Sequence, residues 1–265
     1  VGRARSADLE FDVLTRFEIE AVATAPERLG STLVSLVPTT LARLLDAQAP
    51  VERFGAILLG GAPVPPELLE RACQRGARVV TTYGLSETWG GVIHDGRPLA
   101  GVEIRIADDD EILVRAPQVM RGYRSVGDLS PAPPSPFLAD GWFRTGDAGR
   151  IDPEGRLAVI DRLSDMVVSG GVNVSPAEVE RVLSTHPDVE EVCVSGRPDA
   201  EWGERVVAFV VPRDPAAPPT LDELQAVARE ELSAPAVPRE LVLLYAVPRS
   251  PSGKALRRLL PQARD

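Results

Sequence analysis

Between Thr32 and Thr82 the chain alternates short apolar runs with amphipathic helical ones, and proline or glycine marks each change of period. That order is the one expected of a layered α/β domain. Residues 32–37 (TLVSLV) read as a buried strand, 38–48 as a helix opened by Pro-Thr-Thr, and 56–59 as a second buried strand. The breaker cluster Gly60-Gly61-Ala62-Pro63 follows, then a helix over 66–74 with Leu68, Leu69 and Ala72 on one face. A third strand is expected at 78–82 (RVVTT). Strand, glycine turn, helix and strand in this order predict an α/β domain built on a parallel sheet.

The character changes after Gly101. Two alternating strands, VEIRIA and EILVRA, are split by the acidic turn Asp108-Asp109-Asp110, which predicts a β subdomain over 101–123. Residues 125–140 are rich in proline and read as a surface loop. A hairpin-like string, GRIDPEGRLAVIDR, leads into a second break at 161–165. Beyond it lies a compact α+β unit. Its first helix starts at Ser175-Pro176-Ala177-Glu178, a capping-box pattern with proline at the first helical position, followed by the stripe Val179, Val182 and Leu183. Strands are expected at 189–194, 205–211 and 241–246, a loop at 214–219, an amphipathic helix at 221–232 and a final helix at 255–260. No internal repeat is present. The expected domains are therefore 1–161 and 162–265.

Composition narrows the function. With 44% hydrophobic and 26% charged residues, the 265-residue chain has the balance of a globular protein, and no apolar run reaches the length of a membrane helix. A formal charge of -10 repels a phosphate backbone, so nucleic acid is excluded as a first choice of partner. Cys73 and Cys193 form no metal or redox spacing, which points to a reducing cytoplasm; a homo-oligomer stays open. Lys254 is the one lysine among 29 basic residues, and it lies in the loop-like string Ser250-Pro251-Ser252-Gly253-Lys254.

Four strings carry candidate chemistry. Thr81-Thr82-Tyr83-Gly84-Leu85-Ser86-Glu87-Thr88 follows a predicted strand, where ligands of parallel sheets bind. Tyr83 offers a flat face for a ring, Ser86 and Thr88 offer hydroxyls to phosphate, and Glu87 offers a hard oxygen to Mg²⁺. The same residues also suit a polar turn in which Ser86 caps a helix. In Gly141-Trp142-Phe143-Arg144-Thr145-Gly146-Asp147 the aspartate is able to accept both ribose hydroxyls or to satisfy its own backbone. Residues 161–173 run from a charged cluster into Gly170-Gly171, which suits a hinge or an ordinary turn. The fourth string is the Lys254 loop.

In this order, YGLSET, GWFRTGD, DRLSDMVVSGGVNVSPAEVE and SPSGK, with VPTTLARLL upstream, resemble the adenylate-forming superfamily of acyl-CoA synthetases, nonribosomal adenylation domains and luciferases. The resemblance implies ATP, Mg²⁺ and CoA as cofactor and substrates. It implies that Gly61, Ala62, Pro63, Thr82, Tyr83, Gly84 and Ser86 border the nucleotide, that Glu87 binds Mg²⁺, and that Asp147 and Arg162 hold the ribose and phosphate. It further implies that Lys254 bridges the carboxylate and the α-phosphate, that the small domain pivots at Ser164, and that Gly170, Gly171 and Trp202 meet the pantetheine arm of CoA. Within the superfamily, TTYGLSETWGGVIHDGRPLAGV is most similar to o-succinylbenzoate-CoA ligases of menaquinone synthesis, which places Gly90, Gly91, His94 and Arg97 at the acyl pocket.

The departures are specific. The superfamily's glycine-rich phosphate loop has no counterpart here and the chain opens at Val1, so an amino-terminally incomplete ligase is expected, not competent as 265 residues alone. Ser164 stands where Asp or Lys is usual, Asp161 replaces glycine, Val172 replaces glutamate and Ser86 replaces threonine. Two other readings fit the same strings: an adenylation enzyme that loads a carrier protein, and a nucleotide-binding remnant without catalysis.

Overall fold

The computed structural model describes residues 13–14, 16–30, 32–124, 135–249 and 255–261. Most of the proline-rich string at 125–140, and Lys254 with the four residues before it, lie outside the described residues. The chain divides into two compact units, one drawn from Val1–Ile104, Val114–Phe143 and Asp152–Leu157, the other from Arg105–Leu113, Arg144–Ile151 and Ala158–Asp265.

In the first unit two short helices, α1 (Ile19–Ala23) and α2 (Ala25–Leu29), precede the expected alternation of β1 (Leu33–Leu36), α3 (Pro38–Asp46), β2 (Ala56–Gly60), α4 (Pro66–Gln74) and β3 (Val79–Leu85). β1, β2 and β3 pair in parallel, with Leu33 opposite Ala56 and Gly60 opposite Thr82. Leu41, Leu44 and Leu45 of α3 and Leu68 and Ala72 of α4 bury against Ile57 and Leu59 of β2. Each fully buried leucine or isoleucine contributes roughly 1.5–3 kcal/mol. The sheet departs from the parallel expectation at its far edge, where β4 (Gly90–His94) and β5 (Arg97–Pro98) continue it antiparallel. A three-residue turn at Ser86–Thr88 folds the chain straight back, and three residues cannot form the crossover a parallel partner needs.

A four-stranded sheet takes the order β6 (Glu103–Ile106), β7 (Glu111–Arg115), β8 (Phe143–Ile151) and β9 (Leu157–Arg162). In the second unit, β10 (Val167–Ser169), β11 (Val172–Val174), β12 (Val189–Asp199), β13 (Gly203–Pro212) and β14 (Glu240–Leu243) make a five-stranded sheet, accompanied by α5 (Pro176–Leu183) and α6 (Leu221–Glu231). β13 reads as one continuous apolar run because both its faces are covered. Val206, Ala208 and Val210 pack with Val179, Leu183, Leu224 and Ala228 of the helices, while Val207 and Phe209 pack with Cys193, Val247 and Leu260.

Several boundaries moved. β12 and β13 outrun the expected strands because their polar ends stay paired, Arg197 with Arg205 and Asp199 with Gly203. β14 ends at Leu243 where its parallel partner segment on β13 ends at Val210. The final helix expected at 255–260 is only a 3₁₀ turn at Arg257–Leu259, preceded by a bridge between Ala255 and Arg249.

The start of α5 explains one departure from the family pattern. Ser175 Oγ accepts the Glu178 N–H at 3.2 Å, the half of the capping box that forms. In place of a returning Glu178 side chain, Asp161 Oδ2 accepts the Ser175 hydroxyl and the Ala177 N–H, both at 2.9 Å. A carboxylate at a helix N-terminus also meets the positive end of the dipole, so this contact contributes about 1 kcal/mol. Asp161 is thus a capping residue reached from the preceding strand. A full box forms at α6, where Thr220 and Glu223 exchange hydrogen bonds, a pattern already present in the sequence as Thr220-Leu221-Asp222-Glu223.

Candidate active site

In the first unit the site begins at the carboxyl ends of β2 and β3. The Gly60–Thr82 register brings Gly61-Ala62-Pro63 and Tyr83 out of neighbouring strands side by side, the position where open α/β sheets bind nucleotides. Tyr83 lies within β3, one register irregularity before Gly84, and not after the strand as the sequence suggested. The Thr82 hydroxyl turns inward. A Cβ on Gly91 would lie 1.9 Å from Thr82 Oγ1, so only glycine lets β3 and β4 close here. His94 faces the same spot with its Nε2 enclosed and without a hydrogen-bond partner among the described residues. The exposed Arg97 reaches the Glu154 carbonyl through Nη1 at 3.4 Å.

Ser86, Glu87 and Thr88 form the 3₁₀ turn. The fully buried Thr88 is the capping residue of this turn, a role the sequence reading had offered to Ser86: its Oγ1 accepts the Leu85 N–H at 2.9 Å and lies 2.8 Å from the Gly90 carbonyl. Ser86 is exposed and Glu87 half-buried. Tyr123 Oη donates to Glu87 Oε1 at 2.9 Å, whereas Oε2 makes no hydrogen bond among the described residues. Among those residues no three His, Cys, Asp or Glu side chains gather into a metal cage. A single carboxylate oxygen suits Mg²⁺, which keeps water and substrate phosphate oxygens for most of its shell.

In the second unit Asp147 is 5% exposed, and its Oδ1 pairs with Arg162 Nε at 2.8 Å. Arg162 Nη1 also donates to the Thr145 carbonyl at 3.2 Å. The two residues the resemblance assigns to one nucleotide thus meet directly. The part of β8 that carries Asp147 is held by Glu111, which no string above singles out. Glu111 is 2% exposed, accepts the Gly146 N–H at 2.7 Å and pairs with Arg144. Buried carboxylates need such partners, and Glu111 lies 35 residues before the glycine it organises.

Ser164 is exposed in the 3₁₀ turn between β9 and β10, its Oγ 3.2 Å from Asp165 Oδ1. Gly170 adopts φ +58° and donates its N–H to the Trp202 carbonyl at 2.8 Å, while a Cβ there would lie 3.0 Å from the indole. Asp199 Oδ1 accepts the Trp202 and Glu201 N–H groups at 3.0 Å, and these bonds hold its carboxyl below the usual range. The Arg239 guanidinium stacks over the Trp202 ring at 3.6 Å. Gly170 and Trp202 are therefore brought together, and Arg239 completes the stack from outside any motif. Both cysteines are free; burial and the Glu180 carboxylate push the Cys193 thiol up to about 12, which removes it from nucleophilic chemistry.

Residues 11–124 match the model of the AMP-binding enzyme family, and residues 178–254 that of the AMP-binding enzyme C-terminal domain. A probable 2-succinylbenzoate--CoA ligase of Mycobacterium tuberculosis is 38% identical over 264 residues, covering 97% of this chain and 68% of that protein. The 2-succinylbenzoate--CoA ligase of Bacillus subtilis is 36% identical, over 94% of this chain and 54% of its own length. A solved o-succinylbenzoate CoA synthetase from Bacillus subtilis, in complex with its acyl-adenylate intermediate, superposes with a TM-score of 0.86 at 35% identity, covering 99% of this chain. An amide bond synthetase from Marinactinospora thermotolerans superposes at 0.77 with 33% identity over 91%. This chain spans 57% of the length of the solved Bacillus enzyme and 54% of that of the amide bond synthetase.

Proposed function

The chain belongs to the family of AMP-binding enzymes, and we propose that it supplies the nucleotide-binding edge and the small domain of an AMP-forming acid:CoA ligase acting on o-succinylbenzoate. The observation that carries this reading is the likeness, over 99% of the chain, to an enzyme solved with its acyl-adenylate. The chemistry has two steps. A carboxylate oxygen attacks the α-phosphorus of ATP and pyrophosphate leaves; the CoA thiol then attacks the acyl carbon and AMP leaves.

In this reading Gly61-Ala62-Pro63 and Tyr83 border the adenine, and Gly84 and the exposed Ser86 border the phosphates. Thr82, its hydroxyl turned inward, shapes the strand edge that they share. Asp147 accepts the ribose hydroxyls, with Arg162 fixing its orientation, and Lys254 meets the charge that grows on the reacting oxygens. Glu87 holds Mg²⁺ through Oε2; a bound Mg²⁺ supplies neutralisation of phosphate charge. Ser164 is the pivot between a large domain ending at 161 and a small domain from 162, and the segment at Gly170, Gly171 and Trp202 faces the pantetheine arm. Gly90, Gly91, His94 and Arg97 border the acid. Among the described residues no helix is long and apolar enough to cross a membrane, and two free cysteines accord with a reducing cytoplasm.

A panel of acids given to the protein at its natural length tests the substrate. Scored by CoA thioester in the mass spectrum, o-succinylbenzoate should lead by kcat/KM over benzoate and medium-chain fatty acids. Arg97→Ala should raise KM for the dicarboxylate by roughly tenfold, the loss of one charge-assisted contact, while KM for its mono-ester moves less than about twofold. A lead for a monocarboxylic acid would remove o-succinylbenzoate as the substrate and leave the adenylating mechanism in place, whereas equal KM changes for both forms would remove Arg97 as the partner of the second carboxylate.

A further inference from the structure

Glu87 lies on a backbone that has almost no freedom. Thr88 ties the turn to Leu85 and Gly90, Trp89 takes the left-handed conformation (φ 57°, ψ 36°), and the Met120 N–H donates to the Glu87 carbonyl at 2.7 Å. What the backbone leaves open is the direction of the carboxylate, since a glutamate side chain has three rotatable bonds. That direction is set from the segment that follows β7. Three residues after Met120, Tyr123 donates its phenol to Glu87 Oε1 at 2.9 Å. The same short segment thus grips Glu87 twice, by its backbone and by its carboxylate.

From this geometry we infer that Tyr123 is a positioning residue for metal binding: its phenol occupies Oε1 and turns Oε2 outward as the single oxygen offered to Mg²⁺. The inference rests on the metal role given to Glu87 above. A donor to the non-ligating oxygen acts in two ways. It removes the rotamers in which the carboxylate binds its own backbone or points to solvent, and it disfavours bidentate binding, which suits calcium better than the octahedral shell of magnesium. No sequence motif flags Tyr123, because its partner lies 36 residues earlier.

The test uses Mn²⁺ as a paramagnetic probe, titrated by electron paramagnetic resonance into the protein at its natural length with α,β-methylene-ATP bound, an analogue that cannot give up its adenylyl group. Tyr123→Phe should weaken Mn²⁺ binding by roughly tenfold, the usual cost of removing an outer-shell partner. Affinity for the metal-free analogue should stay within about twofold, and Tm should hold, because the Met120–Glu87 backbone bond remains. Glu87→Gln should weaken Mn²⁺ binding at least as much. Parental Mn²⁺ affinity in Tyr123→Phe, with Glu87→Gln impaired, overturns the positioning role alone. Parental affinity in Glu87→Gln overturns the metal role of Glu87 and this inference with it.

Discussion

Lys254→Ala, made in the protein at its natural length, should slow acyl-adenylate formation by about 10²- to 10³-fold, the typical loss on removing one preorganised transition-state donor. Thioester formation from supplied acyl-AMP should stay within about twofold, because in the proposed role Lys254 meets charge that develops only while the carboxylate attacks phosphorus. Composition supports the proposed role: 28 of the 29 basic positions are arginine and Lys254 is the exception, and a compact ammonium is not interchangeable with a planar fork. Residues on either side are firmly tied. Arg249 and Ala255 form a bridge, the Leu256 N–H donates to the Pro248 carbonyl at 2.8 Å, and Arg249 pairs with Glu191. Pyrophosphate release in a quench experiment reads the first step and acyl-AMP consumption reads the second. Equal losses in both would remove the assigned role.

The second large effect concerns stability. Arg257→Ala should destabilise the second unit by about 2–3 kcal/mol, somewhat below the cost of breaking a fully buried pair because both side chains keep about a fifth of their exposure. Arg257 reaches Glu180 of α5 at 2.6 Å, Asp165 of the 163–165 turn at 3.5 Å and the Val194 carbonyl at 3.0 Å, so one guanidinium joins three elements. Without it, the Glu180 carboxylate stays enclosed with the Val194 N–H at 2.8 Å and loses its charged partner. Burial already raises the Glu180 carboxyl above its ordinary 4.5, and Arg257 is the main opposing influence. A carboxyl raised in the folded state contributes stability below its unfolded pKa and loses it as pH rises through the folded one. Removing Arg257 raises Glu180 further, so the variant's deficit should grow between pH 4.5 and 8. Urea melts at the two ends of that range measure it, and a deficit independent of pH would exclude Glu180 as the cause.

Elements defined by burial were legible in the sequence. β1, α3, β2, α4 and the start of β3 appeared within a residue or two, because each needs a contiguous apolar run or stripe to reach one core. β4 was not legible: GGVIH is short and opens with two glycines, and its pairing depends on a turn stabilised by Thr88, whose hydroxyl reads as merely polar in the sequence. The final helix failed for a related reason. Its six residues are too few to hold a helix without packing, and Arg257 turns inward to an ion pair instead of lining a helical face.

The candidate site divides in the same way. Tyr83, Glu87, Asp147 and Gly170 could be singled out because they fall in strings whose residue types suit a ligand as well as a turn, and Trp202 only through the family resemblance. The residues that hold them were not, since Tyr123, Glu111 and Arg239 act through space and have no fixed spacing to their partners. Asp161 is the instructive case: in the sequence it stands only as a departure from the family's glycine, and in the structure it caps α5 from the preceding strand.

The central claim, that the protein makes an acyl-adenylate before any thiol takes part, is tested most directly by ATP–pyrophosphate exchange at natural length in the absence of CoA. The prediction is exchange of label from pyrophosphate into ATP that requires o-succinylbenzoate and Mg²⁺ and saturates with the acid. Exchange that is absent with every acid, or that appears only once CoA is added, would contradict it.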